Sequence, residues 1–125
     1  IILDEQQQLL LVRKKNTQLF MQVGGKLELD ELPEQTMLRE IKEEIGVDAT
    51  IEQFVGRFET RAANEADHLL VSYVYHVSID QVPRIDAEIA EMKWVSLEAN
   101  QAFLAPLTIE IVMPWVRQNL VCATT

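Results

Sequence analysis

The chain has 125 residues, 48% of them hydrophobic, and a formal net charge of −9. This length and apolar content predict a single globular domain over residues 1–125 with its own core. The acidic balance disfavours a nucleic-acid partner, because phosphate backbones are normally contacted by Lys and Arg. The longest apolar runs, such as LLLV at Leu9 to Val12, are far shorter than the roughly 20 residues of a membrane helix. No membrane partner is therefore expected.

The single cysteine, Cys122, cannot form a disulfide within the chain. This fits a reducing compartment and predicts a cytoplasmic location. The chain begins at Ile1 with residues that resemble the end of a strand, so we expect the native N-terminus to be missing from this sequence.

The first elements are predicted to be strands. Apolar residues Ile1 to Leu3 and Leu9 to Lys15 flank the polar cluster DEQQQ, which is typical of a β-hairpin. A second short run, LFMQV, then leads into Gly24 and Gly25.

A helix is predicted from Pro33 to Ile45. Its apolar residues Met37, Leu38, Ile41 and Ile45 recur with helical spacing. Pro33 suits the first helical position, and Gly46 suits the residue that ends the helix.

The rest of the chain predicts three strands and a C-terminal helix. Ala49 to Thr60 and His68 to Ile79 are rich in β-prone residues, and a shorter strand is expected around Lys93 to Val95. Ser96 is expected to cap a brief turn, and Thr108 to cap a helix that Pro114 kinks. The mixture predicts an α+β fold with helices layered on a mixed sheet.

The predicted helix carries an acidic cluster. Glu40 lies one turn from Glu43 and Glu44, and all three are expected to project away from Leu38, Ile41 and Ile45. Like charges at this spacing repel by about 0.2 to 0.5 kcal/mol per pair. Clustered carboxylate oxygens suit a hard cation such as Mg²⁺, and a solvated acidic face is the alternative.

The sequence around this cluster resembles the Nudix hydrolase signature. Gly25, five residues, Glu31, seven residues and then REIKEEIGV from Arg39 to Val47 agree with it at every specified position. LLLVRKK before the glycines and EMKWVSLE after the box resemble flanking Nudix segments. Three positions depart from the usual pattern: Val23 stands where Pro is common, Asp30 where Gly is common, and Leu32 where a capping Ser or Thr is usual.

The resemblance implies an α/β/α sandwich, with a mixed sheet between helices. It also implies hydrolysis of a nucleoside diphosphate linked to another group, by water attack on phosphorus with Mg²⁺ or Mn²⁺. By position, Glu40, Glu43 and Glu44 match metal-binding carboxylates, whereas Arg39 and Glu31 match residues that orient them. Glu88 resembles a loop carboxylate that binds metal or acts as base, with Glu91 as a competitor. The choice between Glu40 and Glu88 as general base stays open.

Further residues are substrate-binding candidates by the same resemblance. Gly24 and Gly25 would bring the backbone close to metals and phosphates. Arg13 and Lys14 match phosphate-contacting positions, although strand alternation lets only one of them face the site. Asn64 and Glu65 could reach a base or sugar, with a simple turn as the alternative.

The substrate is only partly constrained. The segment RAANEA lacks the Pro and the Tyr that mark hydrolases of ADP-ribose and of dinucleoside polyphosphates, which favours a nucleoside triphosphate or related small nucleotide. Two alternatives are a Nudix-like sensor that binds a nucleotide without hydrolysing it and a purely structural acidic domain. A homodimer is left open.

Overall fold

The computed structural model describes residues 1–62 and 68–120. Within these ranges, four strands and two α-helices form the frame. In chain order they are β1 (Leu9–Lys14), α1 (Pro33–Ile45), β2 (Ala49–Arg61), β3 (Leu69–Ile79), β4 (Ile89–Val95) and α2 (Met113–Asn119). A 3₁₀ turn at Gln101–Phe103 and a π turn at Thr108–Val112 lie between β4 and α2. No helix in the described ranges is long and apolar enough to cross a membrane.

The four strands form two antiparallel pairs, which backbone hydrogen bonds of the first residues link into one mixed layer. β1 is antiparallel to β4, and β2 is antiparallel to β3. The first residues link the two pairs, because Val77 donates to the Ile1 carbonyl at 3.0 Å and Leu10 donates to the Ile2 carbonyl at 2.9 Å. Phe20 and Leu104 form a parallel bridge, so both parallel and antiparallel pairing occur.

Side chains of β1 alternate between two layers of core. Leu9 and Leu11 pack in the cluster that contains Val112, Met113 and Val116. Leu10 and Val12 pack in the cluster that contains Ile41 and Ile45 of α1. The sheet therefore lies between the two helices, which confirms the predicted α+β sandwich.

The predicted helix over 33–45 is confirmed, and local chemistry sets both ends. Pro33 occupies the first turn, and the Leu32 amide donates to Gln35 Oε1 at 2.9 Å, which is the half of a capping box that needs no Ser or Thr at position 32. Gly46 ends the helix with φ 71° and donates to the Lys42 carbonyl at 3.1 Å. A left-handed residue of this kind favours glycine. Leu38, which is predicted to lie on the apolar face of the helix, is exposed.

The LFMQV run makes single bridges, from Phe20 to Leu104 and from Met21 to Val12. One local prediction is wrong. Thr108 does not cap a helix: the chain is already helical before it, and its hydroxyl donates to Gln22 Oε1 at 3.1 Å. Pro114 is predicted to kink the C-terminal helix, and the helix is irregular there, with the π turn directly before α2. Proline causes this because it lacks an N–H and crowds the preceding turn.

Candidate active site

The three helical glutamates lie in different environments. The side chain of Glu44 is 6% exposed and that of Glu40 is 13% exposed, whereas that of Glu43 is 53% exposed. The geometry of α1 explains the difference: at about 100° per residue, Glu44 lies about 60° from buried Ile41, and Glu43 about 160° from it. The expectation that all three project away from the core is therefore wrong for Glu44, which lies at the edge of the buried stripe.

Glu44 is a buried carboxylate held by the glycine segment and by β1. The Gly24 amide donates to Oε1 at 3.1 Å, and Lys14 Nζ lies 3.8 Å from Oε2. Burial raises the pKa of Glu44 from 4.5 to about 7; the Gly24 amide and Lys14 oppose this shift, and the charges of Glu40 and Glu88 reinforce it. A cation that brings positive charge to this carboxylate would remove much of that cost.

The Glu40 carboxylate lies against the backbone of Gly25. A Cβ atom on residue 25 would lie 2.4 Å from Glu40 Oε1, well inside contact distance. A Cβ atom on Gly24 would meet only the end of the Met37 side chain, at 4.0 Å. Residue 25 therefore has to be glycine for the carboxylate to lie where it does, whereas Gly24 contributes its backbone N–H.

Arg39 joins Glu31 to the carboxylates of α1. Its Nε donates to Glu31 Oε2 at 2.8 Å and its second terminal nitrogen to Oε1 at 2.9 Å. The remaining nitrogen donates to Glu40 Oε1 at 2.9 Å and lies 3.3 Å from Glu43 Oε2. Arg39 is the main cause that lowers the pKa of Glu31 to about 2, followed by Thr36, whose hydroxyl donates to Oε1 at 2.6 Å.

The two acidic candidates on the β4 side have different neighbours. Glu88 is exposed, its carbonyl accepts from the Lys15 amide at 2.8 Å, and its charge acts on Glu44. Glu91 pairs with Arg13, with Arg13 Nε donating to Oε1 at 2.9 Å. The structure therefore brings Glu88 towards the helical carboxylates and holds Glu91 against β1.

Arg13 and Lys14 separate as strand alternation predicts. Lys14 lies near Glu44, whereas Arg13 points to the sheet face that carries Leu9 and Leu11. A register shift against β4 occurs between these two residues. Lys14 is thus the candidate that faces the carboxylates, and Arg13 is directed elsewhere.

The carboxylates do not form a closed cage for an ion. Among residues 1–62 and 68–120, no group of three acidic, His or Cys side chains is arranged to hold a metal, and Arg39 is paired with Glu40 and Glu43. Mg²⁺ does not require such a cage, since it takes one or two carboxylates and completes its shell with water and substrate phosphates. The oxygen-only donors Glu40, Glu44 and Glu88, with the close approach at Gly25, therefore fit Mg²⁺ or Mn²⁺.

The sequence reasoning did not identify every residue around the site. It missed Thr36, which holds Glu31, and the pairing of Arg13 with Glu91. Thr36 lies in the first turn of α1, five residues after Glu31. This position could have indicated a contact with Glu31. The candidates Asn64 and Glu65 lie outside the described residues.

With this geometry established, comparison with known proteins decides the family. A family model described as NUDIX domain matches residues 1–116. The chain belongs to this family. Nudix relatives include a "Putative 8-oxo-dGTP diphosphatase" of Bacillus subtilis, 31% identical over 106 residues, or 85% of this chain and 69% of that protein. A "CTP pyrophosphohydrolase" of Escherichia coli is 32% identical over 90 residues, 71% of this chain and 64% of that protein.

The fold of this Nudix chain also matches solved structures. A NUDIX hydrolase from Nitrosomonas europaea superposes with a TM-score of 0.77 at 21% identity, covering 94% of this chain and 85% of that one. The structural match confirms the predicted fold. The family model confirms the predicted family and, together with the names of the two relatives, a Nudix pyrophosphohydrolase as the enzyme class.

Proposed function

We propose that this Nudix protein hydrolyses a nucleoside triphosphate or a related small nucleotide, with Mg²⁺ as its cofactor and Mn²⁺ as a substitute. One observation carries the proposal. The carboxylates of Glu40 and Glu44 are gathered against the backbone of Gly24 and Gly25, with Lys14 beside Glu44. A solvated acidic face would leave these side chains exposed and would have no use for the close approach at Gly25.

The site residues have different proposed roles in hydrolysis: some bind the metal, and others position the metal ligands. Mg²⁺, when bound, neutralises phosphate oxygens and makes water acidic enough to attack phosphorus. Glu40, Glu44 and Glu88 are the proposed ligands, with Glu43 at the exposed edge. Glu31 and Arg39 hold Glu40 in position, and such support is worth about 10- to 100-fold in metal affinity or activity.

Two further roles follow from charge and reach. Lys14 is a cation near the carboxylates and can contact the substrate phosphates. Glu88 is exposed, whereas Glu40 is held by Arg39. We therefore favour Glu88 as the group that accepts the proton of the attacking water, with Glu40 as the alternative.

The proposed reaction breaks a bond inside the polyphosphate chain. Water adds its oxygen to one phosphorus, the bridging oxygen leaves with the other phosphate, and a nucleoside triphosphate yields a monophosphate and pyrophosphate. Running the reaction in ¹⁸O-labelled water tests this step, since label in neither phosphorus-containing product would exclude attack at phosphorus.

The named relatives support a nucleotide as substrate, because one carries the name of a diphosphatase for 8-oxo-dGTP and another that of a CTP pyrophosphohydrolase. The net charge of −9 supports a small-molecule partner over nucleic acid. The single cysteine supports a cytoplasmic location.

A screen of nucleotides for released pyrophosphate and phosphate, with and without Mg²⁺, tests the proposal. We expect pyrophosphate release from at least one nucleoside triphosphate, and only with the metal. Saturable nucleotide binding without turnover would instead support a sensor. A protein that neither binds nor hydrolyses any nucleotide would contradict both.

A further inference from the structure

The segment that leads into β4 is bonded to the C-terminal end of α1. The Arg84 amide donates to the Ile45 carbonyl at 3.0 Å, and the Asp86 amide donates to the Glu44 carbonyl at 3.0 Å. Because the last carbonyls of an α-helix have no partner within the helix, these two bonds satisfy groups that α1 leaves open. They also fix the segment next to Glu44, one of the proposed metal ligands.

Asp86 begins a tight turn that ends at Ile89. The Ile89 amide donates to the Asp86 carbonyl at 3.1 Å, which closes the turn, and the Ala87 amide donates to Asp86 Oδ1 at 2.7 Å. Three groups of Asp86 are thus bonded: its amide to α1, its carbonyl across the turn and its carboxylate to the next residue. Asp86 therefore joins the end of the helix to the turn.

The second residue of this turn has a strained backbone. Ala87 has φ 51°, in the left-handed region where the Cβ atom is crowded and where turns normally place Gly, Asn or Asp. Such conformations persist only where the surrounding structure holds them, and they cluster at functional sites. The bond from the Ala87 amide to Asp86 Oδ1 holds this one. The residue that follows it is Glu88.

The backbone of Glu88 is bonded to the carboxylate site on both sides. The turn before it is fixed to α1, and its own carbonyl accepts from the Lys15 amide at 2.8 Å. Lys14, the neighbour of that residue, lies 3.8 Å from Glu44 Oε2. The Glu88 side chain is exposed, and its charge acts on Glu44. The place of this side chain is therefore set by the backbone of the turn.

We propose that Asp86 is a positioning residue, which holds the turn in the form that directs Glu88 towards the carboxylates of α1. The inference rests on the proposed function, because Glu88 is the group favoured there to accept the proton of the attacking water. Without the bond to Oδ1, Ala87 can return to negative φ and the peptide before Glu88 rotates with it. Two competing interpretations are a turn that only leads the chain into β4 and a direct role of Asp86 as a metal ligand.

Three variants separate these interpretations. We expect Asp86→Ala to lower kcat by at least about tenfold, since a misplacement of about 1 Å can cost about 100-fold. KM for the nucleotide should stay close to the parent value, because Lys14 and the carboxylates of α1 are unchanged. Asp86→Asn should keep a parent-like kcat, because an amide oxygen also accepts the Ala87 N–H. Adding Ala87→Gly to Asp86→Ala should restore part of the loss, since glycine adopts positive φ without strain.

Dependence on Glu88 is the decisive measurement. If Asp86 acts through Glu88, Asp86→Ala should lower kcat in the parent and have little further effect when Glu88→Gln is already present, because residues that act as one unit are not additive. A general loss of stability would instead lower Tm and reduce kcat by the same factor in both backgrounds. Kinetics at saturating Mg²⁺ and nucleotide, with Tm measured for each variant, make the comparison.

The turn before β1 provides a matched control. Asp4 Oδ1 accepts from the Gln8 amide at 2.8 Å, and Gln7 has φ 61°. This turn resembles that of Asp86, with an aspartate oxygen bonded to the backbone beside a residue of positive φ. It precedes β1, whereas the carboxylate site lies at the other end of that strand, at Lys14. Asp4→Ala should lower Tm and leave kcat unchanged.

The outcomes separate the inference from the function on which it rests. Three results overturn the positioning role and leave nucleotide hydrolysis itself standing: a kcat unaffected by Asp86→Ala or by Glu88→Gln, equal losses in Asp86→Ala and Asp86→Asn, or a full further loss from Asp86→Ala in the Glu88→Gln background. If no nucleotide is hydrolysed, the proposed function fails, and titration with Mn²⁺ followed by electron paramagnetic resonance decides the inference. Asp86→Ala should then weaken Mn²⁺ binding in the parent background only. Equal Kd values for the parent and Asp86→Ala, or no Mn²⁺ binding at all, would overturn it.

Discussion

Arg39 and Glu31 form a bidentate pair that joins the loop before α1 to the helix itself. The two contacts, at 2.8 and 2.9 Å, use both oxygens of Glu31 and leave one guanidinium nitrogen for Glu40. A planar guanidinium can make these bonds together, whereas a lysine ammonium acts as a compact point charge. Arg39 therefore positions Glu40 without itself being placed to bind a metal.

Arg39→Lys should keep the positive charge and lose the simultaneous hydrogen bonds to Glu31 and Glu40. We expect the apparent affinity for Mg²⁺ or the turnover to fall by about 10- to 100-fold, the range for residues that orient metal ligands. A Mg²⁺ titration of the nucleotide hydrolysis rate measures both quantities. Arg57→Lys, in an exposed pair with Glu59, is the control and should change neither. Parent-like Mg²⁺ dependence of Arg39→Lys would mean that positive charge alone is sufficient.

Adjacent glycines give a second comparison. Gly25→Ala places a methyl group 2.4 Å from Glu40 Oε1, so the carboxylate has to move. Because a carboxylate is the free end of a flexible side chain, we expect little change in Tm and a loss of turnover by at least about tenfold, equivalent to about 1.4 kcal/mol in the barrier. Gly24→Ala, with its nearest contact at 4.0 Å, should retain most activity. Equal losses in the two variants would contradict the role given to Gly25.

Local signals predicted α1 well. Pro33 and Gly46 act within one turn of their own positions, so the sequence alone specifies where the helix begins and ends. The spacing of Glu40, Glu43 and Glu44 likewise identifies an acidic cluster because helical periodicity is fixed. The family resemblance added the roles of Arg39 and Glu31.

Features that depend on how elements pack could not be predicted in this way. The rotation of α1 against the sheet buries Glu44 and exposes Leu38, and neither can be derived from residue types alone. The side taken by Lys14 depends on the pairing of β1 with β4 and on a register shift beside it. The hydrogen bond from the Phe20 amide to the Phe103 carbonyl, at 2.7 Å, joins segments far apart in sequence, and only the folded chain shows it.

The raised pKa of Glu44 predicts how the metal-free protein responds to pH. Its folded pKa, about 7, exceeds its ordinary value of 4.5 because of burial, so the folded state binds more protons between these values than the unfolded state. Stability should therefore fall as pH rises from about 4.5 to about 7 through this group. The lowered pKa of Glu31 acts in a separate window, with stability lost as pH falls below 4.5 through about 2.

Urea unfolding of the parent and of Glu44→Gln, from pH 4.5 to 8 with chelator, measures the first effect. The difference in unfolding free energy between variant and parent should grow as pH rises to about 7 and then level. His76, whose pKa is lowered by burial, acts with the opposite sign and cancels in the difference. A difference that does not vary with pH would contradict the raised pKa of Glu44.

The response of stability to metal distinguishes a binding site from an acidic surface. Without metal, Glu44→Gln should be as stable as the parent or more so, because a buried carboxylate near Glu40 is replaced by a neutral amide. With metal the order should reverse. A ligand that binds only the folded state adds RT ln(1 + [L]/Kd), about 2.7 kcal/mol at 100 times Kd. The parent should gain this stability, and the variant should gain much less.

Thermal melts of both proteins in MgCl₂ and in NaCl of matched ionic strength make the comparison. Screening of a solvated acidic face depends on ionic strength and is indifferent to the geometry of individual side chains, so it predicts similar shifts for the two proteins and the two salts. Glu43→Gln adds a graded case, since the Glu43 side chain is 53% exposed and lies beside Arg39. It should keep more of the Mg²⁺ response than Glu44→Gln. Equal responses of the parent and Glu44→Gln to Mg²⁺ would make these glutamates ordinary surface charges.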